Sequence, residues 1–223
     1  YGGIACTLVL LRTKTRNKLR DFVYKHTGRF WRKREVVRYT VCTILISMLL
    51  QGAGQALCVW QQRTEAIYFL DVGQGDGILI RSPDGRNIVI DGGSTSQSKC
   101  GTYTLLPALR SQGMTEIDCW FVTHTDEDHI SGLKELLLQG KLTQIKVRTV
   151  VFSAYVFQDA ALAELEAVIR AAGITIVWMR EGDVIGDDTF TLTCLHPTAE
   201  YRAKDKNAAS LALAYHSNTF DML

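Results

Sequence analysis

Within THTDEDHISG, residues 123 to 132, two histidines and three carboxylates stand close together: His124, Asp126, Glu127, Asp128 and His129. They follow directly on an apolar run, IDCWFV. Like charges this close repel, so something must offset them. A divalent cation does so with the donors at hand. His124 offers an imidazole nitrogen, and Asp126 and Asp128 offer oxygens. Alternation along an extended loop would let His124, Asp126 and Asp128 converge on one ion, while Asp128 and His129 could bind a second. Bound ions keep such carboxylates ionised. The competing explanation is a solvated acidic turn at a helix start. The helix dipole would account for Glu127 and Asp128, but not for two histidines.

The flanking sequence has to position this cluster. IDCWFVT reads as a strand buried on both faces, and SGLKELLLQ as a helix beginning just after the acids. The carboxyl end of a buried strand is where layered α/β folds tend to form sites. Upstream, AIYFLDVG reads as a strand, and GILIRSPDGRNIVIDGG as two strands joined by a turn at Pro83-Asp84-Gly85. TLLPALRSQG suits a short helix ended by Gly113. Downstream, VRTVVFSA is a strand, and DAALAELEAVIRAAG is a helix with Asp159 as N-cap and Gly173 past its end. ITIVWM, DTFTLTCLHP and SLALAYH complete the strands. Hairpin and crossover connections mix, which favours an α/β layered sandwich over an all-β barrel.

The 223 residues divide sharply by charge. Residues 12–38 hold eleven Lys or Arg and two acids, a net +9, whereas residues 39–223 are −7. No charge interrupts residues 39–62, YTVCTILISMLLQGAGQALCVWQQ. A helix from Tyr39 to Trp60 would span ~33 Å, close to a bilayer core, with an aromatic at each end. The predicted organisation is the end of a membrane helix at 1–11, a basic cytoplasmic loop at 12–38, a membrane helix at 39–62 and a domain at 63–223. Lys and Arg in short loops mark the cytoplasmic side, so the domain is expected outside. A DNA-binding basic patch is the rival reading of 12–38, but it shows no recognition-helix pattern. A cleavable signal peptide fits poorly, because a basic segment and a further apolar stretch, IACTLVLL, come first. The six cysteines show no CxxC pair and are expected to be buried thiols.

HTDEDH fits the H-x-[HD]-x-D-H motif, and LDVGQGDGILI and NIVIDGG fit the first elements, of the metallo-β-lactamase superfamily. With a preceding membrane span, and with CLHP and NAASLALAY downstream, the chain resembles the C-terminal domain of ComEC-type competence proteins, the DNA-uptake channels of transformable bacteria. The resemblance covers most of residues 66–223. It implies an αββα metallo-β-lactamase-like sandwich, truncated here, behind a membrane helix. It implies His124, Asp126, Asp128 and His129 as metal ligands, with hydrolysis depending on Asp128. Asp91 in IDGG would orient a ligand from behind. Asp71, Gln74 and Asp76 would line the loop beside the site, and Asn207 and Ser210 match the family's Asn and Ser, although Ala208 and Ala209 leave that match partial. His196 reads as a structural or rim histidine.

Two departures qualify the resemblance. Asp126 stands where small-molecule lactamases carry a second histidine. This hardens the donor set and moves preference from Zn²⁺ toward Mn²⁺ or Mg²⁺. The family's Thr-Gly-Asp segment and later histidine motif are not found before TFDML, so this chain is expected to hold metal weakly and cleave little. The function implied is hydrolysis of DNA phosphodiesters outside the membrane, with two divalent ions, Mn²⁺ or Zn²⁺. The expected partners are DNA, the bacterial membrane and a separate DNA receptor, since an acidic domain grips phosphates poorly. The alternative is a non-catalytic gate or docking domain with a vestigial metal site. Hydrolysis of a small ester or lactam is a weaker third reading, which Asp126 and the membrane tether oppose.

Overall fold

The structure, a computed structural model, describes residues 17–18, 21, 25, 33–61, 64–198, 201 and 205–223. The expected helix end at 1–11 and most of the basic loop at 12–38 lie outside the described residues. The chain divides into two units, residues 1–59 and 60–223. In the first, helix α1 (Lys33–Gln61) starts ahead of the expected boundary at 39. Lys33, Arg34, Glu35 and Arg38 are good helix formers and no proline intervenes, so nothing stops the helix at the end of the apolar run. Within α1, Val37–Ala56 is long and apolar enough to cross a membrane. Met48, Leu49 and Leu50 are all exposed.

The second unit is a layered α/β sandwich. Its first sheet has the order β1 (Ala66–Phe69), β2 (Gly77–Arg81), β3 (Asn87–Asp91), β4 (Glu116–Val122), β5 (Lys146–Ser153) and β6 (Thr175–Met179). β1 to β3 run antiparallel, and β3 to β6 are parallel. The parallel strands need crossovers, supplied by α2 (Leu106–Ser111), α3 (Glu127–Gln139) and α4 (Ala160–Ala171). A π-helical turn, Gly101–Leu105, leads into α2. The second sheet is antiparallel, in the order β10 (Asp221–Met222), β9 (Ala212–Ser217), β8 (Phe190–His196) and β7 (Val184–Gly186). The edge strands β7 and β10 escape sequence reading because they are too short to show alternation.

Strand periodicity divides the core in two. Trp120, Val122, Val150 and Phe152 face the helices and meet Leu105, Leu109, Ile130 and Leu133. Phe121 and Val151 point the other way and meet Phe190, Leu192 and Tyr215 of the second sheet. Among the described residues, the layers therefore run helices, first sheet, second sheet. Trp120 and Phe121 are fully buried, each worth about 1.5–3 kcal/mol of apolar burial. α4 starts as expected: the Asp159 carboxylate accepts the Leu162 N–H at 2.8 Å. Gly173 follows its end with φ 72°.

One end of the first sheet gathers the chemistry-bearing loops. Gly77 of β2 pairs with Asp91 of β3, and Ile90 of β3 with Phe121 of β4. The β1–β2 loop, the end of β3 and the end of β4 thus share one edge. α3 begins at Glu127, inside the acidic cluster and not after it, with Asp126 in the extended N-cap conformation. Glu127 and Asp128 occupy its first turn, where the helix dipole favours negative charge. The cluster is therefore half connecting loop and half helix, not wholly the extended loop that alternation predicted.

Candidate metal centre

Asp91 anchors the site from below. Its carboxylate is buried and accepts three hydrogen bonds: from the Thr123 N–H at 2.8 Å, the Thr123 hydroxyl at 2.7 Å and His129 Nδ1 at 2.8 Å. A carboxylate only accepts, so both the hydroxyl and the imidazole must donate. Having spent its proton on Asp91, Thr123 Oγ1 can only accept from His124 Nδ1, 3.1 Å away. Both imidazoles therefore carry their proton on Nδ1, one held directly by Asp91 and the other through Thr123. Both Nε2 lone pairs are left free, the tautomer a metal ligand needs.

The free nitrogens face carboxylates. His124 Nε2 lies 3.6 Å from Asp126 Oδ2. His129 Nε2 lies 4.0 Å from Asp128 Oδ2 and 3.7 Å from Asp76 Oδ2. The two rings are close, with centroids 3.9 Å apart. Donor atoms of His124, Asp128 and His129 all lie within 4.8 Å of one another. Asp126 faces two ways, because its Oδ1 lies 3.1 Å from Lys206 Nζ, which also pairs with Asp159 at 2.7 Å. This explains why Asp126, although at the N-cap position, makes no side-chain cap bond.

The other expected site residues are placed as follows. Asp71 is exposed and accepts the Gly73 N–H at 3.2 Å, shaping its own turn. Gln74 is exposed; its backbone N–H bonds the Ser96 hydroxyl at 2.8 Å and its carbonyl accepts the Thr95 N–H at 2.9 Å. Asn207 opens a short 3₁₀ turn, Asn207–Ala209, and Ser210 follows it; neither side chain bonds to the cluster among the described residues. The turn itself is tied to the site, since Leu211 N–H donates to the Thr123 carbonyl at 3.0 Å. His196 Nε2 contacts the Ala208 carbonyl at 3.1 Å, and its ring packs against Tyr201. Thr123 and Lys206 are the residues that motif reading missed; neither belongs to a spacing that signals a ligand.

A family model of the metallo-beta-lactamase superfamily matches residues 70–199, more than half of the chain. The chain belongs to the metallo-beta-lactamase superfamily. It is 32% identical over 157 residues to ComE operon protein 3 of Bacillus subtilis (strain 168), covering 65% of this chain and 20% of that protein. It thus spans about one fifth of that relative's length. The two matches together support a ComEC-type C-terminal domain. Solved structures of related fold include the metallo-beta-lactamase fold protein YhfI from Bacillus subtilis, with TM-score 0.44, 15% identity and coverage of 66% of this chain and 53% of that one. Another is MEM-A1, a subclass B3 metallo-beta-lactamase from a soil metagenome library, with TM-score 0.44, 17% identity and coverage of 70% and 56%.

The donor set of this metallo-beta-lactamase domain fits divalent metal. Two Nε2 lone pairs are freed by buried hydrogen bonding, and the carboxylates opposite them stand at 3.6–4.0 Å, beyond hydrogen-bond reach. The protein alone leaves the two histidines unequal. Burial, then the neighbouring His129, pushes His124 below its ordinary pKa. Burial is also the largest influence on His129 and disfavours its charge. The Asp91 hydrogen bond and the charges of Asp91, Asp128 and Asp76 outweigh it and raise the pKa.

Proposed function

We propose that the domain from residue 63 onward is a metal-dependent phosphodiesterase acting on DNA during its uptake across a bacterial membrane. The observation that carries this reading is the convergence of His124, Asp128 and His129, with Nε2 freed on both rings. His124 and Asp126 would hold one ion, and Asp128 and His129 a second, with Asp91 fixing the ring orientations. Divalent ions supply charge neutralisation at phosphate and activation of water. The carboxylate-rich donor set favours Mn²⁺ over Zn²⁺. The ComEC-type resemblance supplies the setting: α1 crosses the membrane, the basic residues 12–38 stay in the cytoplasm, and the domain works outside. Its −7 charge leaves the gripping of DNA to a separate receptor.

The test is Mn²⁺-dependent cleavage of duplex DNA by the full-length protein that carries this domain. Asp128→Asn should lose cleavage while melting as wild type does. Glu127→Gln should cleave normally, because Glu127 is exposed on the helix start. Equal cleavage by wild type and Asp128→Asn would sink the assignment. One observation favours the second reading, a non-catalytic gate or docking domain: Lys206 already partners the candidate ligand Asp126. DNA binding without cleavage at any Mn²⁺ concentration would select that reading.

A further inference from the structure

We infer that Asp76 is a direct ligand of the ion held by Asp128 and His129, not merely a residue of the neighbouring loop. The inference rests on the metal-site reading above. His129 Nδ1 is committed to Asp91, so Nε2 is its only free donor. That atom lies 3.7 Å from Asp76 Oδ2 and 4.0 Å from Asp128 Oδ2. Both gaps are too long for hydrogen bonds. Two donors each about 2.1 Å from one ion stand at most about 4.2 Å apart, and both gaps fall inside that limit.

The loop backbone delivers Asp76 to this position. Its N–H donates to the Asp128 carbonyl at 3.3 Å, and its carbonyl accepts the Gly93 N–H at 3.2 Å. The residue is thereby stitched to the start of α3 and to the end of β3. The approach requires glycine just before it. Gly75 has φ 150°, and a Cβ there would lie 2.3 Å from the Gly93 carbonyl oxygen and 2.5 Å from that of Asp128. Nothing else claims the carboxylate: among the described residues, His129 is its one ion-pair partner. Its side chain is 70% exposed, so it has no evident role in the core. The donors of His124, Asp128 and His129 already lie within 4.8 Å of one another; the exposed Asp76 carboxylate would join them by turning toward the ion, adding a hard oxygen suited to Mn²⁺ or Mg²⁺.

The test is a Mn²⁺ titration of the intact chain in detergent, followed by the loss of the free-ion electron paramagnetic resonance signal. Asp76→Asn should bind at least tenfold more weakly than wild type and melt at the same temperature without metal. Glu164→Gln, which removes a distant surface charge, should bind as wild type does. The Asp76→Asn deficit should persist at about 1 M salt, where screening extends only ~3 Å; a deficit that vanishes there marks a long-range charge effect and overturns the ligand assignment. Asp76→Asn binding within twofold of wild type, while Asp128→Asn binds weakly, overturns it too but leaves the metal site standing. No Mn²⁺ binding by wild type sinks both.

Discussion

Replacing Asp91 by asparagine is the sharpest perturbation of the site, because it keeps the residue's size and backbone and changes only which hydrogen bonds its side chain can accept. Asp91 sits at φ 55°, a left-handed conformation that asparagine tolerates nearly as well as aspartate. The backbone therefore has no reason to move. The carboxylate now accepts three hydrogen bonds, and an amide can accept on one side only. If the amide oxygen keeps the Thr123 N–H, its NH₂ confronts the Thr123 hydroxyl and His129 Nδ1. The hydroxyl can rotate. The imidazole can adapt only by accepting at Nδ1 and moving its proton to Nε2, the atom meant for metal. If the amide flips, its NH₂ confronts the buried Thr123 N–H instead.

Either arrangement loses at least one charge-assisted hydrogen bond, worth about 1.5–3 kcal/mol. Taking about 2 kcal/mol, a domain of this size should melt about 4–8 °C lower. Losing the orienting group of a metal histidine should weaken Mn²⁺ binding by about 10–100-fold. Two measurements check this: a Mn²⁺ titration, and the two-bond ¹H–¹⁵N pattern of the imidazoles, which reports the tautomer. The expected result is His129 shifting to the Nε2–H form together with the loss of affinity. A folded Asp91→Asn protein with unchanged Mn²⁺ affinity would refute the reasoning, as would an unchanged His129 tautomer accompanied by lost affinity.

Two further outcomes follow from the geometry. Asp159→Ala removes the α4 cap and one partner of Lys206, so it should cost about 1 kcal/mol at neutral pH. Burial opposes ionisation of Asp159, but Lys206 and the Leu162 N–H outweigh it and hold its pKa below the ordinary 3.8. Its stabilisation is thus complete above about pH 4 and disappears as the pH falls through the lowered folded value; thermal melts should show the gap between variant and wild type closing only on that acid side, and a gap unchanged down to pH 2 would refute it. The membrane orientation is tested by an impermeant maleimide on intact cells: Asp188→Cys should react and Asn17→Cys should not. The native Cys100 is no use as a probe, because it is 2% exposed and burial raises its pKa.

Local signals carried most of the fold and singled out the candidate donors. β4 and α4 show their periodicity over single unbroken segments, and HTDEDH places four candidate donors within one stretch of chain. Asp91 could be singled out because IDGG belongs to a motif as local as the cluster, and it does bond His129 Nδ1. What escaped was set by contacts distant in sequence. Lys206 reaches Asp126 across 80 positions, and nothing in KDKNAAS marks that lysine as different from its neighbours. Thr123 reads as the last residue of an apolar strand, and only the pairing of β3 beside β4 reveals it as the relay between Asp91 and His124. The start of α3 was misplaced for a related reason. Alternating ligands suggested a loop, but the dipole of the new helix accepts Glu127 and Asp128 in its first turn.

The repulsion within the cluster is resolved unevenly, and the unevenness points to where an ion belongs. Asp91 is satisfied by three donors inside the protein. Asp126 shares its charge with Lys206, which in turn is held by Asp159. Glu127 is exposed and left to water. Two carboxylates remain, those of Asp128 and Asp76, whose backbones meet where Asp76 N–H bonds the Asp128 carbonyl. Among the described residues, their only ion-pair partner is His129, at distances too long for hydrogen bonds. Gly93 allows this crowding: a Cβ there would lie 2.5 Å from His129 N and from the Asp128 carbonyl carbon, so any side chain would push the β3 loop off the helix start. A fold that satisfies Asp91 and Asp126 within the protein, yet packs backbone on backbone to hold these two near one free imidazole nitrogen, gains nothing from the arrangement in water alone. A divalent ion at that point, as proposed above, would supply the missing positive charge and make the close packing favourable.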